Sequence, residues 1–230
     1  VFVPLERFWP RHPDQGIFRP EWSTDYFYFV VTHLPAQLIT FAMLLPATVA
    51  TKWLAMPTMT NSIGKLPFLV QLPLAILVAD LAQYATHRAF HQIPFLWRFH
   101  SIHHSIKTMD WIAGSRSHIV DILVTRGLIL IPMTLCGFSQ ATMAGYLVFV
   151  SFHATFCHTD FRPRTKWLDP YIVTVRYHHW HHAADKNAID VNFAIHLPFI
   201  DKLFGTHYLP QDAWPERYGL LHDGVPKGFF

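Results

Sequence analysis

Apolar residues follow one another in four long runs along this chain, separated by short polar stretches. The first run, Phe27 to Val49, holds 23 residues without Asp, Glu, Lys or Arg, and the fourth, Phe138 to Cys157, holds 20. The second begins at Leu66 and continues in a helix-like pattern to about His91, and the third, Ile119 to Leu135, carries two charged residues. About 20 apolar residues suffice for a helix to cross a bilayer. We therefore predict four transmembrane helices.

The segments between the runs pair these helices into two hairpins. The stretch "TKWLAMPTMTNSIGK" joins the first run to the second, and "CGF" joins the third to the fourth. Several runs contain proline, which membrane helices tolerate better than soluble helices. A buried, all-helical soluble core is the alternative, but two uninterrupted apolar runs of this length are rare in soluble domains.

Basic residues are distributed unequally between the two sides of this arrangement. The outer loops hold only Lys52 and Lys65, Arg126 lies within the third run, and the other 15 Lys and Arg side chains fall on the opposite side. Such an excess marks the cytosolic side. Both chain ends are therefore expected in the cytosol. The predicted parts of one membrane domain, 1–230, are a cytosolic N-terminal segment 1–23, a four-span region 24–158 with a cytosolic loop 92–118, and a cytosolic C-terminal cap 159–230.

The composition agrees with a membrane protein and limits its chemistry. Hydrophobic residues make up 51% of the chain and charged residues only 14%, against about 25% charged in ordinary domains. A net charge of +3 is too small to indicate nucleic-acid binding. Cys136 and Cys157 form no CxxC pair, which argues against a thiolate metal site. The predicted topology places these two cysteines near opposite membrane faces, so we expect no disulfide between them.

Histidine is the exceptional residue, with 17 copies, and its clusters all fall on the predicted cytosolic side. The motif "HRAFH" separates two histidines by four positions, which places both on one face of a helix. The motif "HSIHH" has the spacing i, i+3 and i+4, and "HHWHH" repeats it from His178, so His179 is expected to point elsewhere. The candidate ligands from these motifs are His87, His91, His100, His103, His104, His178, His181 and His182.

Eight converging imidazoles are typical of a site for two metal ions. Neutral imidazole binds iron, zinc, copper or nickel. Three unrelated histidine clusters are the weaker explanation, because buried polar groups are rarely left without partners. Asp80 lies two helical turns before His87, where its carboxylate could accept an imidazole N–H and fix the tautomer. An ordinary polar contact inside the helix explains Asp80 equally well.

These motifs, in this order on a four-span scaffold, resemble those of the fatty acid hydroxylase/sterol desaturase superfamily. The stretch "DVNFAIHLPFIDKLFGT" is similar to the family's Asp-x-Asn-aromatic segment and its Asp-x-Leu-Phe-Gly-Thr close, so the resemblance covers about Asp80 to Thr206. It implies an all-α integral membrane fold with four transmembrane helices in two hairpins and a cytosolic, histidine-ligated di-metal cap. The implied cofactor is two iron ions, for which zinc can substitute in purified protein.

The resemblance also implies further site residues. The stretch "CHTD" is similar to the end of the family's last span, which makes His158 a ninth implied ligand and His153 a possible additional one. The stretch "RSHIVD" resembles Arg-x-His-Pro-x-Glu, with Ile119 and Asp121 in place of Pro and Glu, so His118 is expected to support ligands rather than bind metal. The supporting candidates are Asp80, His118, Asp121, Asp190, Asn192 and Asp201. For Asp190, Asn192 and Asp201, as for Asp80, an ordinary polar contact is an equally good explanation. Histidines expected to be ordinary surface or capping side chains are His12, His33, His196, His207 and His222.

The implied activity is O₂-dependent hydroxylation of a C–H bond in a membrane lipid, such as a fatty acyl chain or a sterol. Desaturation at the same di-iron site is the alternative. The sequence contains no GxGxxG, no ferredoxin cysteine run and no obvious haem-binding domain, so electrons are expected from an external ferredoxin, cytochrome b5 or reductase. Two other classes stay open: a non-catalytic metal or haem carrier, and a zinc-dependent hydrolase, although no HExxH motif is present.

Overall fold

A computed structural model of the chain describes residues 1–36, 38–40, 62–162 and 166–221. Within these residues the structure is helical, with two isolated β-bridges and no β-strand, which confirms the predicted helical class for this part of the chain. The α-helices are α1 (Phe2–Phe8), α2 (Trp22–Tyr28), α3 (Phe68–Gln92), α4 (Pro94–His104), α5 (Ile119–Leu135), α6 (Gln140–His158), α7 (Val175–His181) and α8 (Pro198–Phe204).

Three of the four predicted apolar helices lie within the described residues. They are α3, α5 and α6, and α5 has the bounds predicted for the third run. Of the described helices, α3 alone is long and apolar enough to cross a membrane by length and composition. The first predicted span is described only in part, where α2 continues into a π-helical turn at Phe29–His33. The four-span arrangement, the hairpins and the cytosolic cap remain predictions.

Helix α3 packs against both α5 and α6, and the three helices share a common apolar core. Ala75 and Ala79 of α3 meet Ile129 and Met133 of α5 and Tyr146 of α6, all of them buried. The alanines let the helix backbones approach closely, as small residues do in membrane helix pairs. This core holds the three helices at fixed positions relative to one another.

A buried glutamine near the start of α3 shows which ends of the helices lie together. Gln71 accepts hydrogen bonds through Oε1 from Ser139 N at 2.9 Å and from Thr142 Oγ1 at 3.1 Å, at the beginning of α6. Helices α3 and α6 therefore begin at the same end of the bundle. They also finish at the same end, where His91 and His158 lie.

The chain turns back over this end of the bundle because of a proline. Ile93 has an extended backbone with φ −96° and ψ 114°, and Pro94 begins α4 directly after it. A residue that precedes proline avoids the α conformation, so α3 has to stop here. Helix α4 then carries its histidines across the end of α3. On the same end, α7 is capped by Thr174, whose Oγ1 accepts a hydrogen bond from Tyr177 N.

Candidate metal centre

Nine histidines from four helices and one helix end meet in two adjacent groups at this end of the bundle. Within each group, one ring nitrogen from every member lies within 4.8 Å of the others. The five-histidine group is His87, His91, His100, His104 and His181. The four-histidine group is His103, His158, His178 and His182. The two groups contain all of the histidines named above as implied or candidate ligands, apart from His153.

Neighbouring histidines in the sequence belong to different groups. His103 and His104 divide between the two groups, and so do His181 and His182. The rings of His104 and His182 stack at 4.5 Å between centroids and an interplanar angle of 22°. Each HxxHH motif therefore contributes to both groups, rather than to one shared point, and the stacked pair joins them.

Outer hydrogen bonds fix the tautomers in the five-histidine group. His87 Nδ1 donates to Phe193 O and His181 Nδ1 donates to Val191 O, both at 2.8 Å, because a carbonyl oxygen can only accept. His100 Nδ1 lies 2.8 Å from a carboxylate oxygen of Asp121. With Nδ1 protonated, Nε2 presents a lone pair to the interior. The Nε2 atoms of His87 and His100 face each other at 3.0 Å.

The four-histidine group has the same inward arrangement. His103 Nδ1 donates to Arg116 O at 3.1 Å, and His158 Nδ1 donates to Ala154 O at 2.7 Å. Their Nε2 atoms therefore carry lone pairs, yet lie only 3.3 Å apart. The Nε2 of His178 lies 3.1 Å from that of His158. Lone pairs at these distances cannot bond to one another, whereas a cation between them would accept them all.

Burial keeps five of the nine imidazoles in their metal-binding form. It lowers the pKa of His103, His104, His178, His181 and His182 well below 6.5, and neighbouring imidazoles lower it further. These side chains are thus neutral near pH 7 and their lone pairs are available. The Nε2 atoms of His104 and His181 are buried without a hydrogen-bond partner among the described residues. The donor set therefore fits iron, zinc, copper or nickel.

Residues 190–197 form a strap along the five-histidine group, and polar side chains anchor this strap. Asp80, for which an imidazole N–H and an ordinary polar contact were equally good explanations, accepts hydrogen bonds from the backbone N–H groups of residues 195, 196 and 197. Asp201 accepts those of Phe193 and Ala194, at 2.8 and 2.9 Å. Asn192 binds both the N–H and the carbonyl of Tyr208. These anchors position the strap carbonyls that orient His87 and His181.

Residues 110–116 form a loop along the four-histidine group. Arg116 supplies the carbonyl that accepts the His103 Nδ1 proton. Gly114 lies against the ring of His158, so closely that a Cβ at this position would be 2.8 Å from His158 Nδ1. The loop therefore touches two of the four histidines, one through a hydrogen bond and one through close packing.

The remaining candidates occupy different places. Asp190 lies 3.3 Å from His91 Nδ1, with 45% of its side chain exposed. His118 caps α5, where its Nδ1 accepts a hydrogen bond from Val120 N. His153 lies outside both groups: its Nδ1 is 2.9 Å from His196 Nδ1, and its Nε2 donates to the carbonyl of residue 173. The structure thus gives His153 another partner in place of a position among the nine.

Two histidines outside the groups are deeply buried. His179 contacts Tyr218 OH through Nδ1 at 2.6 Å and Thr159 O through Nε2 at 3.1 Å, and it belongs to neither group, as its register predicts. His196, expected to be a surface or capping side chain, is only 1% exposed. The expectation for His196 was wrong because its environment is made by α3 and α6, more than 35 positions away in the chain.

Comparisons with known proteins find a matching family and similar sequences. Residues 72–206 match the family model described as fatty acid hydroxylase. The chain is 31% identical over 163 residues to ornithine lipid hydroxylase OlsE of Rhizobium tropici, which covers 71% of this chain and 49% of that protein. It is 29% identical over 150 residues to alkylglycerol monooxygenase of Homo sapiens, which covers 64% of this chain and 32% of that protein.

The aligned region is only part of these relatives. The chain spans about half the length of the bacterial relative and about a third of the human one. No solved structure matches the chain. The match at residues 72–206 includes all nine histidines of the two groups, the strap and the loop, but not residues 1–71.

Proposed function

This chain belongs to the fatty acid hydroxylase family, and from that premise we propose that it is a di-iron monooxygenase that hydroxylates a C–H bond of a membrane lipid with O₂. One observation carries the proposal. Nine imidazoles converge in two adjacent groups, with lone pairs that face each other and have no protons to share. Such an arrangement would be unfavourable without cations, and it supplies one set of nitrogen ligands for each of two ions.

The chemistry of the bound ions and the work of the protein can be separated. Two iron ions with open positions would supply O₂ reduction and the oxidising power for C–H cleavage. The protein's own residues orient the imidazoles. Four histidines donate hydrogen bonds from Nδ1 to backbone carbonyls, so Nε2 remains the ligand atom of each. The accepting carbonyls are those of Phe193, Val191, Arg116 and Ala154. Burial of these rings excludes water from the reacting position.

Exposed apolar side chains on the helix bundle support a location in a membrane. Leu69 of α3 is 81% exposed, Ile131 of α5 is 52% exposed, and Val148 and Phe152 of α6 are 60% and 54% exposed. Surface this apolar is unfavourable in water and favourable against lipid. We propose that α3, α5 and α6 lie in the bilayer with the histidines at its cytosolic boundary, where an acyl chain can reach them from the lipid phase.

The names of the relatives narrow the class of substrate. One is an ornithine lipid hydroxylase and another an alkylglycerol monooxygenase, and both names describe oxygenation of a lipid with a polar head. We propose a lipid of this kind for the present chain. The described residues contain two cysteines, both free thiols, which are too few to hold an iron–sulfur cluster. Electrons would therefore come from a donor outside these residues.

The proposal is tested in cells that express the wild type or His104→Ala and are supplied with ¹⁸O₂, with lipids analysed by mass spectrometry. We expect a lipid that carries one labelled oxygen in wild-type cells and none above background in the variant. A lipid that loses two hydrogens without label would instead identify a desaturase. Identical lipids in the two cell lines, when both proteins are present in the membrane and the wild type is loaded with iron, would refute an oxidase of either kind.

A further inference from the structure

We propose that the N-terminal segment 19–25 is part of the metal centre, because a buried ion-pair network links it to the loop 110–116 and so to the four-histidine group. The segment lies outside the family-matched residues 72–206. The inference rests on the proposed metal binding by the nine histidines and adds a positioning role for residues that do not touch the metal.

The network contains two arginines and two aspartates, all of them buried. Arg19 binds Asp110 with Nε at 3.0 Å and Nη2 at 2.7 Å, and its Nη2 also donates to Asp25 at 2.5 Å. Arg116 donates from Nε to the other oxygen of Asp25 and from Nη1 to Glu21 at 2.9 Å. Asp25 thus joins the two arginines, and it is completely buried.

This network reaches the four-histidine group through the backbone of the loop. Asp110 Oδ1 accepts the N–H groups of Ile112 and Ala113 at 3.2 and 2.9 Å, which shapes the turn that contains Gly114. The guanidinium of Arg116 fixes the residue whose carbonyl holds His103. If one charge of the network is removed, another is left buried without its partner, so the loop has to move to reach water.

Two further side chains of the N-terminal region hold the loop from the same side. Glu6 Oε1 accepts the N–H of Trp111 at 2.8 Å, and Gln15 Nε2 donates to Met109 O at 2.9 Å. These two contacts are at the start of the loop, whereas the contacts of Arg116 with Asp25 and Glu21 are at its end. Gly114, which packs against His158, lies between the two ends of the loop that are held in this way.

The five-histidine group is anchored differently. Its strap is held by Asp80, Asn192 and Asp201, which all lie within the family-matched residues. A change at Asp25 should consequently weaken metal binding in the four-histidine group and leave the five-histidine group intact. This selectivity separates a positioning role from general destabilisation, which would affect both groups.

The test is the iron content per chain of purified full-length protein, measured at several free iron concentrations. We expect about two ions in the wild type and about one in Asp25→Asn at limiting iron, with the second restored when free iron is raised about tenfold. Arg116→Lys keeps the positive charge but lacks the planar fork of arginine, so a smaller loss is expected. Asp14→Asn is the matched control, because it makes the same change at an exposed aspartate of the N-terminal region.

Combination with ligand variants identifies the affected group. In a His182→Ala background, which already disrupts the four-histidine group, Asp25→Asn should remove no further iron. In a His181→Ala background it should remove the remaining ion, so that about none is left at limiting iron. Equal losses in the two backgrounds, or a wild-type content in Asp25→Asn alone, would overturn the inference. Wild-type protein without iron would instead refute the proposed metal centre, which keeps the two failures distinct.

Discussion

The five-histidine and four-histidine groups lie side by side but have different outer partners. In the five-histidine group, His100 contacts the carboxylate of Asp121 at 2.8 Å, and His91 lies 3.3 Å from Asp190. In the four-histidine group, the outer contacts of His103 and His158 are backbone carbonyls. A carboxylate at the outer nitrogen makes an imidazole a more basic ligand than a carbonyl does. The two ions that we propose should therefore bind with different affinities, and the one in the five-histidine group should bind more tightly.

The largest expected effect comes from removing one ligand from each group. His104→Ala and His182→Ala alter the two stacked rings that join the groups. Each variant should lose the ion of its own group and reduce the proposed lipid hydroxylation by about 100-fold or more, because the proposed di-iron reaction needs both ions. Iron content and product formation are the measurements. If either variant lost both ions, the two groups would form a single cooperative unit rather than two sites.

His179→Ala is the matched control for these ligand variants. His179 lies in the same run of histidines and is also buried, but it contacts Tyr218 and Thr159 instead of the nine histidines of the two groups. We expect wild-type iron content and a loss of about 2 kcal/mol in the free energy of unfolding, from broken buried hydrogen bonds. Loss of iron equal to that of His182→Ala would show that the assigned register of this motif is wrong.

A smaller effect, confined to the four-histidine group, is expected from Gly114→Ala. The added Cβ would lie 2.8 Å from His158 Nδ1 and 3.0 Å from its Cγ, so the ring has to move away from its ligand position. We expect iron affinity in this group to fall by about 10- to 100-fold. Iron titration of the purified variant measures it.

Gly127→Ala provides the comparison for Gly114→Ala. A Cβ at Gly127, inside α5, would meet nothing within 4 Å. We expect unchanged iron affinity and a helix that is about 0.5–1 kcal/mol more stable. If the two alanine variants had the same iron affinity, close packing of the loop against His158 would not matter for metal binding.

The carboxylate contacts of the five-histidine group should have graded effects. Asp121→Asn keeps the size of the side chain but removes the charge next to His100, and we expect about a tenfold loss of iron affinity in that group. Asp190→Asn should cost less, because Asp190 is 3.3 Å from His91 and its side chain is 45% exposed, so solvent screens its charge. Competition with a chelator ranks the two variants. The reverse order would contradict the proposed cause of the difference between the groups.

The smallest expected effect is a pH dependence of the contact between Glu6 and the loop beside the four-histidine group. Burial raises the pKa of Glu6 from 4.5 to about 7. Folding therefore favours the protonated form, and the stability that Glu6 contributes is complete below about pH 4.5 and is lost as the pH rises through about 7. Glu6 accepts a hydrogen bond from the Trp111 N–H, so the hydrogen-exchange rate of that N–H reports this contact.

Glu6→Gln stays neutral at every pH and serves as the reference. We expect wild type and variant to protect the Trp111 N–H equally at about pH 4.5, and the variant to protect it better at about pH 8. A constant difference between the two proteins across this range would show that the ionisation of Glu6 does not affect the loop.

Local spacing in the sequence was sufficient to identify the ligand candidates. The intervals i, i+3 and i+4 place His100, His103 and His104 along one side of α4, and the same intervals excluded His179 from the second motif. The apolar runs likewise predicted the bounds of α5 and, to within two residues, the start of α3 and of α6. These features depend on neighbours within a turn or two of helix, so they can be read without knowledge of the fold. His158 was added by family resemblance, and it too lies among the nine.

The tertiary structure decided how those residues are divided and what holds them. The spacing alone did not separate His103 from His104. They belong to different groups because α4 contacts histidines of both the four-histidine and the five-histidine group. Asp80 supports a strap more than 100 positions away, His196 is buried against α6, and Asp25 pairs with Arg116, which is 91 positions away. Each of these contacts exists only when distant segments pack together. Hydrophobic packing brings them together, and it specifies surfaces and volumes rather than the pairing of individual polar atoms.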